Sequence, residues 1–188
     1  MTAAELFQEG QTLLLDGKVR EAEEVFTKAI DAGADPYMAY LSRGVCRMHL
    51  KQPGPAAEDF TRAIGLNASG YRPFYYRGMA RMIEGNAAGA IEDLTRVLEM
   101  KTDHVQAQFA RGVCYSTTGH PEEAASDIKP LIPLMEQNVQ QFVDEYGIMR
   151  TQMSKALAQF SGERKTPEVH LTDEEIETIR DWLGEEEA

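Results

Sequence analysis

The sequence predicts an all-α solenoid of four helix pairs, and three observations predict it. Glycine stands at Gly10, Gly44, Gly78 and Gly112, always 34 residues apart. Alanine keeps the same spacing at Ala22, Ala56, Ala90 and Ala124. A fixed period of that length marks a helical repeat array, in which each unit buries its apolar face only against its neighbours. The third observation is a correlation of charge. Arg43, Arg77 and Arg111 each precede the glycine, and sixteen residues further on stand Asp59, Asp93 and Asp127; in the first repeat Glu9 and Val25 replace both together.

Four repeats fit the frame, over residues 3–36, 37–70, 71–104 and 105–138. Each reads as two helices joined by a turn, because Gly and Pro break the helical pattern midway: Asp16-Gly17-Lys18, Lys51-Gln52-Pro53-Gly54-Pro55, Glu84-Gly85-Asn86 and Thr118-Gly119-His120-Pro121. Second helices carry apolar residues at helical spacing, Val25, Phe26, Ala29 and Ile30 in the first, then Phe60, Ala63, Ile64 and Leu94, Val97, Leu98. These residues form the expected core. The glycine within each first helix lets the second helix approach, and the alanine twelve residues on is expected to form the opposing gap. Charges that appear and vanish as a pair predict a salt bridge within a repeat or between neighbours. The alternative is a ladder of arginines for anionic ligands.

The fourth repeat is atypical. Pro130 and Pro133 fall inside its second helix, which should kink or stop near Lys129. Past residue 138 the period fails. Val139 to Phe160 keeps one apolar stripe through Phe142, Tyr146, Met149, Met153, Leu157 and Phe160, as a helix covering the end of a stack would. Residues 1–160 therefore form the expected solenoid with its capping helix, and 161–170 a polar linker. Residues 171–188 read as a short acidic amphipathic helix, with Thr172 and Glu175 as capping box, Gly184 as C-cap, and Ile176, Ile179, Trp182 and Leu183 on one side.

Net charge is −12 over 188 residues. More than half of it lies in 163–188, where ten acids face three bases. A nucleic-acid binder needs cationic surface against phosphates, so that partner class is disfavoured, and an anionic membrane surface with it. No apolar run approaches the roughly 18 residues that span a bilayer. MTAAELFQEG has neither a basic start nor an apolar stretch, so no export signal is expected. Cys46 and Cys114 are equivalent positions two repeats apart, beyond the Cα separation of about 7 Å that a disulfide tolerates. Two unpaired thiols predict a cytoplasmic location.

No catalytic constellation is visible. His49, His104, His120 and His170 are scattered without ligand spacing, so neither metal nor cofactor is expected. Gly78, Gly85 and Gly89 lack the Lys-Ser/Thr of a phosphate loop. The sequence reads as a binding protein, not an enzyme.

The helix-turn-helix unit of 34 residues resembles the tetratricopeptide repeat, without insertion or deletion over residues 3–138. Its departures are specific. The family's aromatic four residues before the glycine is Leu6, Tyr40, Phe74 and then Gln108; Ala34, Ala68 and Thr102 replace its closing proline. The resemblance implies a right-handed superhelix whose first helices line a concave, peptide-holding groove. On that face stand Phe7 with Leu14 and Leu15, then Met38, Leu41, Val45 and Met48. Repeat three adds Arg72, Tyr75, Tyr76, Met79, Met82 and Ile83, and repeat four Phe109 and Val113. An apolar strip of that size predicts a binding surface. The family's carboxylate clamp needs Lys and Asn where Phe7, Gln11, Ser42 and Tyr76 stand, and Arg72 is its only basic match.

The expected function is an adaptor or scaffold that binds a helical or extended apolar segment of a partner protein. Two alternatives stand beside it. Class II chaperones of type III secretion are similarly small and acidic, although they carry extra N-terminal helices. A self-assembling scaffold would form homo-oligomers through the C-terminal helix docked in a neighbour's groove.

Overall fold

A computed structural model describes residues 1–131, which form eight α-helices and a closing 3-10 turn. The helices are α1 (Ala3–Leu15), α2 (Val19–Asp31), α3 (Pro36–His49), α4 (Pro53–Leu66), α5 (Tyr71–Ile83), α6 (Ala87–Met100), α7 (Val105–Thr117) and α8 (Pro121–Ile128). Among the described residues there is no strand. The expected capping helix, linker and tail helix lie outside these residues.

Local chemistry starts and stops each helix. Thr2 and Glu5 form a reciprocal capping box on α1, with Thr2 N to Glu5 Oε2 at 2.8 Å and Glu5 N to Thr2 Oγ1 at 3.2 Å. Asp35 accepts from Tyr37 N and Met38 N ahead of Pro36, whose fixed φ suits a first helical position. The four intra-repeat turns share one closing bond: Lys18 N to Leu13 O at 2.9 Å, Gln52 N to Arg47 O at 2.9 Å, Asn86 N to Arg81 O at 2.8 Å and His120 N to Tyr115 O at 2.9 Å. That bond needs a left-handed residue two places before the next helix, which is why Gly17, Gly85 and Gly119 stand there. Repeat two places Lys51 in the same conformation, with φ 58°. In repeat four α8 ends at Ile128 and Pro130 sits in the 3-10 turn Lys129–Leu131, since proline cannot continue the hydrogen-bond ladder.

Every helix packs on the next, and first helices of consecutive repeats touch lightly, α1 with α3, α3 with α5 and α5 with α7. This is a solenoid of helical repeats. Its glycines mark the closest crossings. A Cβ on Gly10 would come within 2.7 Å of the Phe26 ring, one on Gly44 within 2.5 Å of Phe60, and one on Gly112 within 2.7 Å of Ile128. Gly78 is less tight, 3.1 Å from Leu94. The glycine therefore seats the large residue sixteen positions on. It is not matched to the alanine at twelve, as the spacing alone suggested. Those alanines are fully buried beside that large residue, Ala22 with Phe26, Ala56 with Phe60 and Ala90 with Leu94.

Each arginine before the glycine clips three helices together. Arg43 donates from Nε to Asp59 Oδ2 at 2.9 Å, from Nη2 to Asp59 Oδ1 at 2.8 Å, and from Nη1 back to Thr27 Oγ1 at 3.2 Å. Arg77 repeats this with Asp93 and Thr61, and Arg111 with Asp127 and Thr95. The carboxylate belongs to the second helix of the same repeat and the threonine to that of the preceding one. Asp59 also takes Arg47 Nη1 at 3.0 Å, and Asp93 takes Arg81 Nη1 at 2.9 Å. Repeat four has Tyr115 in that place, beside the Arg111 guanidinium. Hydrogen bonding to Asp59 and to Asp127 raises the already high pKa of Arg43 and of Arg111. These guanidiniums are committed to carboxylates inside the fold and are not arrayed for a ligand.

Candidate functional site

The first-helix face divides into two sets of residues. Leu41, Met79, Phe109 and Val113 are buried, none more than 7 % exposed, and belong to the packing between helices. This corrects the expectation that they line an open groove. Positions on one first helix that face the groove and positions that face the next helix are close in angle, so a long apolar side chain at the border is drawn into the core. Phe7 is half-buried against Phe26, with ring centroids 5.6 Å apart. Met38, Val45, Met48 and Met82 are half-buried, Arg72 is exposed, and Leu15 and Ile83 stand in solvent.

Of the expected groove residues, Arg72, Tyr75 and Tyr76 come together in a cleft of about 240 Å³ between repeats three and four, lined also by Tyr71, Lys101, His104 and Gln106. Its wall is aromatic and continuous. Tyr76 stacks on Phe60 with centroids 5.5 Å apart and touches Tyr75 at 5.5 Å. Tyr75 lies 4.7 Å from the His104 ring, and Tyr71 meets that ring edge-on at 5.4 Å. His104 is held by its own helix: Nδ1 accepts from Ala107 N at 3.2 Å as the cap of α7, which leaves its hydrogen on Nε2. Lys101 Nζ sits 5.3 Å over the Tyr71 ring.

The cleft thus presents mainly polar groups, the tips of tyrosine and histidine rings beside two cations, on a chain of net charge −12. Rigid rings with two rotatable angles give large contact area at low ordering cost. Tyr75 lies at its floor, only 6 % exposed. Among the described residues no group of three or more His, Cys, Asp or Glu is placed to hold a metal ion. Nor is any helix among them long and apolar enough to cross a membrane.

Sequence reasoning missed two ladders and two residues of the cleft. Thr27, Thr61 and Thr95 recur every 34 residues, and Arg47 and Arg81 follow Arg43 and Arg77 by four, so both ladders had a visible period. Lys101 and His104 had none. They occupy the connection between repeats three and four, where the equivalent residues one repeat earlier are Asn67 and Gly70.

A stack of helix pairs with an open cleft on its first helices defines a class, the helical-repeat modules that bind other proteins. The family model described as tetratricopeptide repeat matches residues 7–71 and 75–128, and the chain belongs to that family. Solved structures similar to it include YrrB, described as a TPR protein with an unusual peptide-binding site, at 24 % identity over 73 % of this chain and 71 % of that one, with a TM-score of 0.67. The first TPR of Spaghetti (RPAP3), bound to the HSP90 peptide SRMEEVD, is 28 % identical over 63 % of this chain and 94 % of that one, with a TM-score of 0.59. MamA (41-end) from Desulfovibrio magneticus RS-1 is 18 % identical over 72 % and 77 %, with a TM-score of 0.66. No curated protein matches the chain by sequence.

Proposed function

We propose that the protein is an adaptor that holds an extended or helical peptide segment of a partner protein on its first-helix face, anchored in the cleft between repeats three and four. The observation that carries this reading is the run of ring contacts along the cleft from Tyr76 through Tyr75 to His104 and Tyr71, with the buried Phe60 ring stacked behind Tyr76. Buried aromatic anchors in a pre-formed pocket are where peptide-binding energy concentrates. Two similar structures support it, YrrB by its peptide-binding site and the Spaghetti unit by its bound HSP90 peptide. The adaptor performs no catalytic step.

A cytoplasmic setting fits the thiols. Cys46 and Cys114 are free and buried, and burial pushes their pKa up to about 12 and about 11, so neither is a thiolate at neutral pH.

The test is selection of peptides from a displayed random library by the full-length protein. Enriched peptides should lose roughly tenfold or more in affinity towards Tyr76→Ala, the scale of an anchor residue. Peptides that bind the variant equally well would place binding elsewhere and sink the reading.

A further inference from the structure

We propose that the acidic segment 163–188 of this chain docks in cis over Arg72 and Lys101, and so competes with a partner peptide for the cleft. Its regulatory consequence rests on the adaptor reading; the docking itself does not.

Arg72 is the exception among the arginines of the first helices. Arg43, Arg47, Arg77, Arg81 and Arg111 each reach a carboxylate at 3.0 Å or less. Arg72 is exposed, and among the described residues no carboxylate pairs with it. Lys101, in the same cleft, is likewise without an ion pair among those residues and has only the Tyr71 ring beneath it. Two cations without a counter-charge among the described residues create a local positive potential on an acidic protein. They select an anion.

The segment 163–188 supplies both features that the cleft recognises. It carries ten acids against three bases, and its sequence spaces Ile176, Ile179, Trp182 and Leu183 at helical intervals between them. Carboxylates suit Arg72 and Lys101, and the indole suits the tyrosine wall. Reach is sufficient. Residues 132–162 separate the segment from Leu131, and a stretch of that length spans about 46 Å even if wholly helical. The cleft lies only one repeat away from Leu131. Docking in cis is favoured over docking on a second copy, because a tether sets a high effective concentration while two chains of net charge −12 repel.

Trp182 is the single tryptophan, so its emission and its quenching by acrylamide read the docking directly in the full chain. We expect a shielded indole whose signal is unchanged over a hundredfold dilution. Arg72→Glu with Lys101→Glu should expose it, lowering the docked-to-free ratio about fivefold per cation, the upper range for exposed pairs. Adding Glu174→Lys, Glu177→Lys and Asp181→Lys to that variant should restore the shielding. Circular dichroism should stay unchanged throughout, since neither cation makes an ion pair among the described residues. An indole exposed in the native chain overturns the proposal. So does one that ignores the charge reversal, and a dilution-dependent signal overturns docking in cis. None of these results measures partner binding, so the adaptor reading would survive them.

Discussion

Arg43 and Asp59 form a two-pronged bridge, 2.9 Å from Nε to Oδ2 and 2.8 Å from Nη2 to Oδ1, with the arginine 9 % and the aspartate 1 % exposed. Asp59 also receives Arg47, which in turn holds Glu23 on α2 at 2.9 Å. Removing the carboxylate would leave two guanidiniums facing each other across a desolvated gap. Asp59→Ala should therefore lower unfolding free energy by about 3–5 kcal/mol. Asp127→Ala should cost less, because Arg111 is its only ion-pair partner among the described residues and is more exposed. Denaturant titration of both variants checks the order. Equal losses would show that the second arginine contributes nothing.

Gly44 and Phe60 make the closest of the four crossings, where a Cβ would lie 2.5 Å from a ring carbon. Gly44→Ala overpacks a junction of helices and should cost about 1–3 kcal/mol. Gly78→Ala meets the flexible Leu94 at 3.1 Å and should cost less. Phe60→Leu puts the leucine of repeat three opposite Gly44, so combining it with Gly44→Ala should show favourable coupling in a double-mutant cycle. Additive losses would mean that the ring is not what the glycine makes room for.

Met79 and Arg72 separate core from cleft on a single helix. Met79 is 4 % exposed, so Met79→Glu buries a charge and should unfold the protein well below the native melting temperature. Arg72→Glu should leave melting within a degree or two, as an exposed substitution does. A stable Met79→Glu protein would return Met79 to the groove surface.

The thiols give a pH dependence of known sign. Cys46 is raised from 9.0 to about 12 by burial and Cys114 to about 11. Above pH 9 the unfolded chain releases thiol protons that the folded chain keeps, so stability falls as pH rises from about 9 towards 12. It is unaffected by the thiols below pH 9. Replacing both cysteines by alanine should flatten that part of the stability curve. An unchanged slope would assign the alkaline loss to other groups.

The repeat was legible because the glycine and its neighbours sit where the backbone of every unit must cross in the same way. Helix bounds, turns and the Arg–Asp clips all inherit that period. The role of the glycine was only half legible. Sequence shows a small residue but not which side chain fills the space, and Phe26, Phe60, Leu94 and Ile128 are alike only in being large and apolar. The cleft was the least legible part. Tyr75 and Tyr76 lie on the repeating helix face, yet Lys101 and His104 come from a connection whose composition changes from repeat to repeat. The apolar strip was read too wide because period alone cannot separate a groove-facing residue from one that packs on the next helix, as Leu41 and Phe109 show.

The central claim is that a partner peptide lies along the cleft between repeats three and four. The most direct test is photo-crosslinking of a library-selected peptide to the full-length protein, with a photoreactive phenylalanine analogue placed at Tyr76 or, as the comparison, at the exposed Glu92 of α6. The account predicts a covalent adduct from position 76, suppressed by excess unlabelled peptide, and none from position 92. Adducts from position 92 with none from position 76 would contradict it.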